Sequence, residues 1–190
     1  GRDCYCAPGV DDTCGNRFGQ KFGSLPDGYD HKYVYSHLGY NLKITDMQAA
    51  CGLAQLESLE SFIAKRRDNF KYLSSRLSSL SEFIEIATPT ENSNPSWFGF
   101  PVTIKESAGV KRIDVVKYLD QYKIGTRLLF AGNLINQPYF EGVEHRVSGS
   151  LKNTDRTMNQ TFWLGVQPTL GEVHYDFIAE KMEEFFGVNF

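Results

Sequence analysis

The feature that most constrains this chain is a boundary at Thr45. The run Thr45-Asp46-Met47-Gln48 has the form of a capping box, in which the Thr hydroxyl accepts from the Gln48 N–H and the Gln side chain reaches back. Apolar residues then recur mostly at spacings of three and four: Ala50, Cys51, Ala54, Leu59, Phe62, Ile63, Phe70, Leu73, Leu77 and Leu80. This predicts a helix from about 46 to about 79, with room for a bend, and puts the charges of Lys65, Arg66, Arg67 and Asp68 on its outer face. A helix of that length often joins two domains. The chain is therefore divided into 1–45, a connecting helix 46–79, and 80–190.

Before the boundary the sequence is rich in glycine and holds three of the four cysteines, with no sustained periodicity. It reads as loop with one short strand at most. Leu25-Pro26-Asp27-Gly28-Tyr29 is a turn by its chemistry, because Pro presets φ and Gly permits φ > 0. After the boundary, strands and helices alternate. Strands are predicted at 83–86, 96–104, 126–129 and 161–166, and amphipathic helices at 113–122 and 171–186. Residues 131–160 read as loop with a helical turn at 154–159. The fold class is α/β, with 80–190 forming a small α+β domain around an antiparallel sheet. Trp97, Phe98, Phe100, Trp163, Phe177, Phe185 and Phe186 are available for its core.

The formal net charge is -3 with the signs interspersed, so there is no electrostatic footprint for nucleic acid. No apolar run approaches a membrane span. Gly1-Arg2-Asp3-Cys4 lacks the apolar stretch and cleavage site of a signal peptide and is not headed by Met, so the start is read as interior to a longer, cytoplasmic chain. That setting disfavours disulfides.

Cys4, Cys6 and Cys14 form C-x-C-x7-C. Soft thiolates suit iron–sulfur clusters, zinc and copper(I), and a [2Fe–2S] cluster takes four protein ligands, of which three stand together here. By spacing alone, a cluster, a structural zinc and coincidence all stay open. Cys4 and Cys6 are too close in sequence to pair easily with each other. Cys51 sits among small apolar residues in the helix and reads as a buried packing cysteine. His31, His37, His145 and His174 make no ligand pattern. His174 reads as surface or cap, while His31 and His37 flank Tyr33-Val34-Tyr35 and read as packed or hydrogen-bonded. No Gly-x-Ser-x-Gly, P-loop or dinucleotide fingerprint is present.

The block Gly39-Tyr40-Asn41-Leu42-Lys43-Ile44-Thr45-Asp46-Met47-Gln48-Ala49-Ala50-Cys51-Gly52-Leu53-Ala54-Gln55-Leu56 resembles the Gly-Tyr-Asn…Gln-Ala-Ala…Leu block of the DegT/StrS-type sugar aminotransferases and dehydratases. Lys43 stands where most of that family has Arg. The cysteine triplet, with Pro95-Ser96-Trp97-Phe98-Gly99-Phe100-Pro101 and Gly125-Thr126-Arg127-Leu128-Leu129-Phe130-Ala131-Gly132-Asn133, is similar to the branch that dehydrates CDP-4-keto-6-deoxyglucose at C3. The resemblance runs over essentially all of the chain.

The resemblance implies the C-terminal part of an aspartate-aminotransferase-type enzyme (pyridoxal-phosphate fold type I), acting as a homodimer. Cys4, Cys6 and Cys14 would bind a [2Fe–2S] cluster whose fourth cysteine lies upstream. Asn41 would reach across the dimer to the phosphate of pyridoxal or pyridoxamine phosphate, a role an amide donor can fill. The pyridoxamine form would condense with the C4 ketone and a His at the Schiff-base position, also upstream, would move the proton. Electrons for removal of the C3 hydroxyl would come from a separate flavin iron–sulfur reductase, on the way to the 3,6-dideoxyhexoses of lipopolysaccharide. No catalytic residue is expected in this chain, and alone it is expected to be inactive. Arg127, Phe130 and Asn133 are assigned to the substrate wall, since a diphosphate needs a donor such as Arg. The bland reading gives Arg127 a salt bridge and Asn133 a turn cap. Two other functions stay open: a plain nucleotide-sugar aminotransferase with incidental cysteines, and a non-enzymatic zinc or redox module.

Overall fold

The computed structural model describes residues 14–40, 42 and 44–188. The backbone falls into two units, 1–52 and 53–190. In the first, the described residues from 14 to 45 are loop, as expected, with one 3-10 turn at His31–Tyr33. The Asp30 carboxylate caps that turn by accepting from the Lys32 N–H at 3.0 Å.

The capping box is in place: the Thr45 N–H donates to Gln48 Oε1 at 2.9 Å, and the Gln48 N–H to Thr45 Oγ1 at 3.3 Å. The single helix expected from the periodicity is two helices, α1 (Asp46–Leu56) and α2 (Leu59–Arg76). At the break Ser58 takes φ -100° and ψ -2°, and its N–H donates to the Gln55 carbonyl, three residues back, at 3.1 Å. That tightens the turn and restarts the ladder. None of the residues of α1 is buried, and Cys51 is exposed. The buried packing role expected of Cys51 is therefore corrected: none of the apolar residues that suggested it is buried.

The second unit is a four-stranded antiparallel sheet of order β1-β2-β4-β3. Its strands are β1 (Ile84–Ile86), β2 (Gly99–Ile104), β3 (Thr126–Leu128) and β4 (Thr161–Gly165). Helix α3 (Arg112–Gln121) joins β2 to β3, α4 (Lys152–Gln160) leads into β4, and α5 (Glu172–Phe186) closes the unit. Alternation along β2 buries Phe100, Val102 and Ile104 and turns Gly99, Pro101 and Thr103 to the other face. The buried side meets Leu73 and Leu77 of the α2 end, Val115 and Leu119 of α3, and Tyr175 and Met182 of α5. Phe162 and Leu164 of β4 complete this core. A fully buried side chain of this size contributes about 1.5–3 kcal/mol. Asn69, buried on α2, donates to the carbonyl of Gln167 at 2.9 Å and lies 3.4 Å from those of Val166 and Leu170, which fastens the turn between β4 and α5.

Three expected core residues lie elsewhere, one of them Trp163, which β4 turns to the sheet face opposite Phe162 and Leu164. Phe98 is 69% exposed because the chain bends just before β2 and takes the ring out of the pleat. Phe177 is exposed on α5, whose inward positions are Tyr175, Ile178, Ala179 and Met182. Residues 152–160, read as loop with one turn, form a full helix. No described helix is long and apolar enough to cross a membrane.

Candidate functional site

The face of the sheet opposite the core carries Arg127, one of the residues assigned to a substrate wall. Register places Pro101 beside Trp163 and Trp163 beside Arg127, so the three side chains share one face. An apolar cavity of about 340 Å³ opens there, lined by Trp97, Phe98, Gly99, Pro101, Leu129, Phe130 and Trp163. The Trp163 indole donates from Nε1 to the Leu128 carbonyl at 3.0 Å, and its ring lies 5.2 Å from that of Phe98. Gly99 passes under the indole.

The supports of this wall were legible only in part. Arg66 and Arg67, expected on the outer face of the helix, hold the loop before β2. Arg67 Nη2 donates to the Asn94 carbonyl at 2.6 Å, and Arg66 Nη1 to that of Trp97 at 3.2 Å. A charge run on a helix gives no sign of which loop it meets, so this could be found only in three dimensions. Phe70 stacks on Trp97 at 4.1 Å between centroids and fixes that end of the cavity.

At the other end Phe130 is 77% exposed and has φ 51°, a left-handed backbone uncommon for a residue with a β-carbon and costing about 1 kcal/mol or more. The loop is locked from beneath. Gly132 (φ 66°) lies so close to Met158 of α4 that a Cβ would meet its Cγ at 2.5 Å. Asn133 is buried: its Nδ2 donates to Asp155 at 2.7 Å and its Oδ1 caps the following 3-10 turn through the Ile135 N–H. Of the three wall candidates, Arg127 and Phe130 reach the exposed face, and Asn133 holds the loop that presents Phe130. Arg127 is exposed and donates from Nη1 to the Thr126 carbonyl at 2.9 Å; among the described residues it makes no ion pair.

In the first unit, Cys14 Sγ stands 3.6 Å from Nε2 of His31, which is 3% exposed. Gly15, next to Cys14, has φ 63°, a turn that glycine takes without strain. Arg17 clasps Asp30 through Nε and Nη2, at 3.0 and 2.8 Å. This pairing holds the Asp30 carboxyl below its ordinary value of 3.8, helped by the Lys32 N–H and opposed by burial. Cys4, Cys6 and Asn41 lie outside the described residues. Among the described residues no group of three or more His, Cys, Asp or Glu stands ready for a metal ion. His31 was read only as packed or hydrogen-bonded, since no spacing rule links it to Cys14. His174 caps α5, its Nδ1 accepting from the Gly171 N–H at 3.1 Å.

Known proteins resemble the chain throughout. It is 67% identical over 190 residues to the lipopolysaccharide biosynthesis protein RfbH of Salmonella typhimurium, which covers 100% of the chain and 44% of that protein. It is 48% identical over 186 residues to the dTDP-4-dehydro-2,6-dideoxy-D-glucose 3-dehydratase of Saccharopolyspora spinosa, covering 97% of the chain and 40% of that protein. The chain thus spans less than half the length of these curated relatives. Among solved structures it is similar to the E. coli GDP-4-keto-6-deoxy-D-mannose-3-dehydratase with bound hydrated PLP, at TM-score 0.72 and 25% identity over 83% of the chain and 40% of the other. The α/β architecture is therefore part of the aspartate-aminotransferase-type fold expected from the sequence. Residues 17–183 match the family described as DegT/DnrJ/EryC1/StrS aminotransferases, and the chain belongs to that family.

Proposed function

We propose that this chain is part of a homodimeric nucleotide-sugar 3-dehydratase that deoxygenates C3 of a CDP-4-keto-6-deoxyhexose during 3,6-dideoxyhexose biosynthesis. The observation that carries the reading is the 48% identity over 186 residues to a protein named as a 3-dehydratase of a dideoxy nucleotide sugar. The overall change replaces the C3 hydroxyl by hydrogen, consumes two electrons and two protons, and releases one water. A separate flavin iron–sulfur reductase supplies the electrons.

When bound, pyridoxamine phosphate would supply an amine for the C4 ketone and an electron sink. Cys4, Cys6 and Cys14, with one further ligand, would hold a [2Fe–2S] cluster, which would pass electrons singly. The donor set fits: three thiolates are soft ligands, and the sulfur of Cys14 faces a buried imidazole 3.6 Å away, surroundings suited to a charged sulfur. Asn41 donates to the cofactor phosphate of the neighbouring subunit. Arg127 donates to the diphosphate, as its exposed guanidinium permits. Phe130, Phe98 and Trp163 offer apolar surface to the C–H faces of the sugar and keep water from it.

Product analysis tests the reading. The full-length protein with pyridoxamine phosphate, a reductase and CDP-4-keto-6-deoxyglucose is expected to yield a product lighter by one oxygen. A product bearing an amino group at C4 would instead establish a sugar aminotransferase.

A further inference from the structure

Both nitrogens of the buried His31 ring are engaged, and the partners are unlike. Gln20 Nε2 lies 3.4 Å from Nδ1 and Cys14 Sγ lies 3.6 Å from Nε2. A thiolate at Cys14 has no proton to give and can only accept, so the ring hydrogen belongs on Nε2 and Nδ1 is left to accept from the Gln20 amide. The ring N–H is then on Nε2 and points at sulfur. The distance suits an N–H···S contact, which is longer than N–H···O because sulfur is the larger atom. The ring is buried and the backbone that carries it is held. The His31 N–H donates to the Arg17 carbonyl at 3.2 Å, and the Arg17–Asp30 clasp closes the loop one residue before it.

We infer that His31 is a positioning residue for the cluster: its Nε2–H donates a hydrogen bond to the Cys14 thiolate and raises the potential at which the cluster is reduced. The inference rests on the reading of Cys14 as a cluster ligand. A donor to a ligand sulfur draws charge from it and stabilises the reduced, more negative cluster. No covalent bond forms or breaks; one electron enters at a time and the Nε2 proton stays where it is. Gln20 acts at one remove. Without its N–H the ring is free to carry its hydrogen on Nδ1, which would turn a lone pair of Nε2 toward sulfur.

The test is the midpoint potential of the full-length protein, reconstituted anaerobically with iron and sulfide and followed by its visible spectrum. His31→Phe is expected to keep the cluster spectrum and shift the potential negative by about a tenfold change in the reduction equilibrium, 59 mV for one electron. His31→Gln, which restores an N–H donor, is expected to recover part of the shift. An unchanged potential in His31→Phe, or equal potentials in the two variants, would overturn the inference. Should His31→Phe fail to load, Gln20→Leu decides: a negative shift supports the inference and an unchanged potential overturns it. A wild-type protein that binds no iron would instead overturn the cluster reading beneath it.

Discussion

Gly99 lies so close beneath Trp163 that a Cβ on it would stand 2.4 Å from indole Cε3. The contact ties the first residue of β2 to the middle of β4 and sets the floor of the apolar cavity. Trp163 cannot retreat, because its Nε1 donates to the Leu128 carbonyl. Gly99→Ala is therefore expected to destabilise the fold by about 1–3 kcal/mol. Thermal unfolding reads this directly, and a Tm equal to wild type would show that the indole has room to move.

Tyr175 presents the opposite case. Its ring is fully buried, and among the described residues its hydroxyl finds no partner. Burial pushes the phenol up to about 12. Tyr175→Phe removes a desolvated hydroxyl and keeps the packing, so stability is expected to stay level or rise by about 1 kcal/mol. A loss above 1 kcal/mol in denaturant unfolding would contradict this and reveal a partner for the hydroxyl.

Asp30 gives a pH dependence of definite sign. Its folded value lies below the ordinary 3.8, so its contribution is fully present above that value and is lost as pH falls through the depressed one. Hydrogen exchange at the His31 and Lys32 amides is expected to keep its protection down to about pH 4 and lose it below. Asp30→Asn is expected to weaken protection at neutral pH as well. Wild-type protection in Asp30→Asn would mean that the clasp with Arg17 does not hold the loop.

Arg127 tests the substrate wall. Arg127→Ala is expected to raise KM for the nucleotide sugar about tenfold or more with a smaller effect on kcat, as for a lost binding contact to a charged group. Arg127→Lys is expected to recover little of the loss, because a point charge does not reproduce the guanidinium fork. An unchanged KM in Arg127→Ala would remove Arg127 from the wall.

Much of the fold was legible because the core-facing elements obey simple periods. The alternation Phe100, Val102, Ile104 marks β2, and Gly171 to Phe186 marks α5 with its inward stripe. The capping box at Thr45 fixed the start of α1. What escaped was decided by geometry between distant residues. The break at Ser58 is a local tightening within a pattern that stays helical on both sides. Cys51 looked like core because its neighbours are apolar, yet α1 buries none of them. Arg66 and Arg67 reach loop carbonyls 31 and 27 residues on, and the meeting of Cys14 with His31 lies in a loop that Arg17 and Asp30 clasp. Phe130 stood out in sequence only by resemblance; its left-handed backbone is a property of the folded loop.

The central claim is that the cysteine triplet holds a redox cluster, and an anaerobic iron and sulfide assay on the full-length protein tests it most directly. The account predicts a brown protein with two irons and two sulfides per chain, a content lost in Cys14→Ser and kept in Cys51→Ser. A colourless protein without iron after reconstitution would contradict it and leave a sugar aminotransferase or a zinc site.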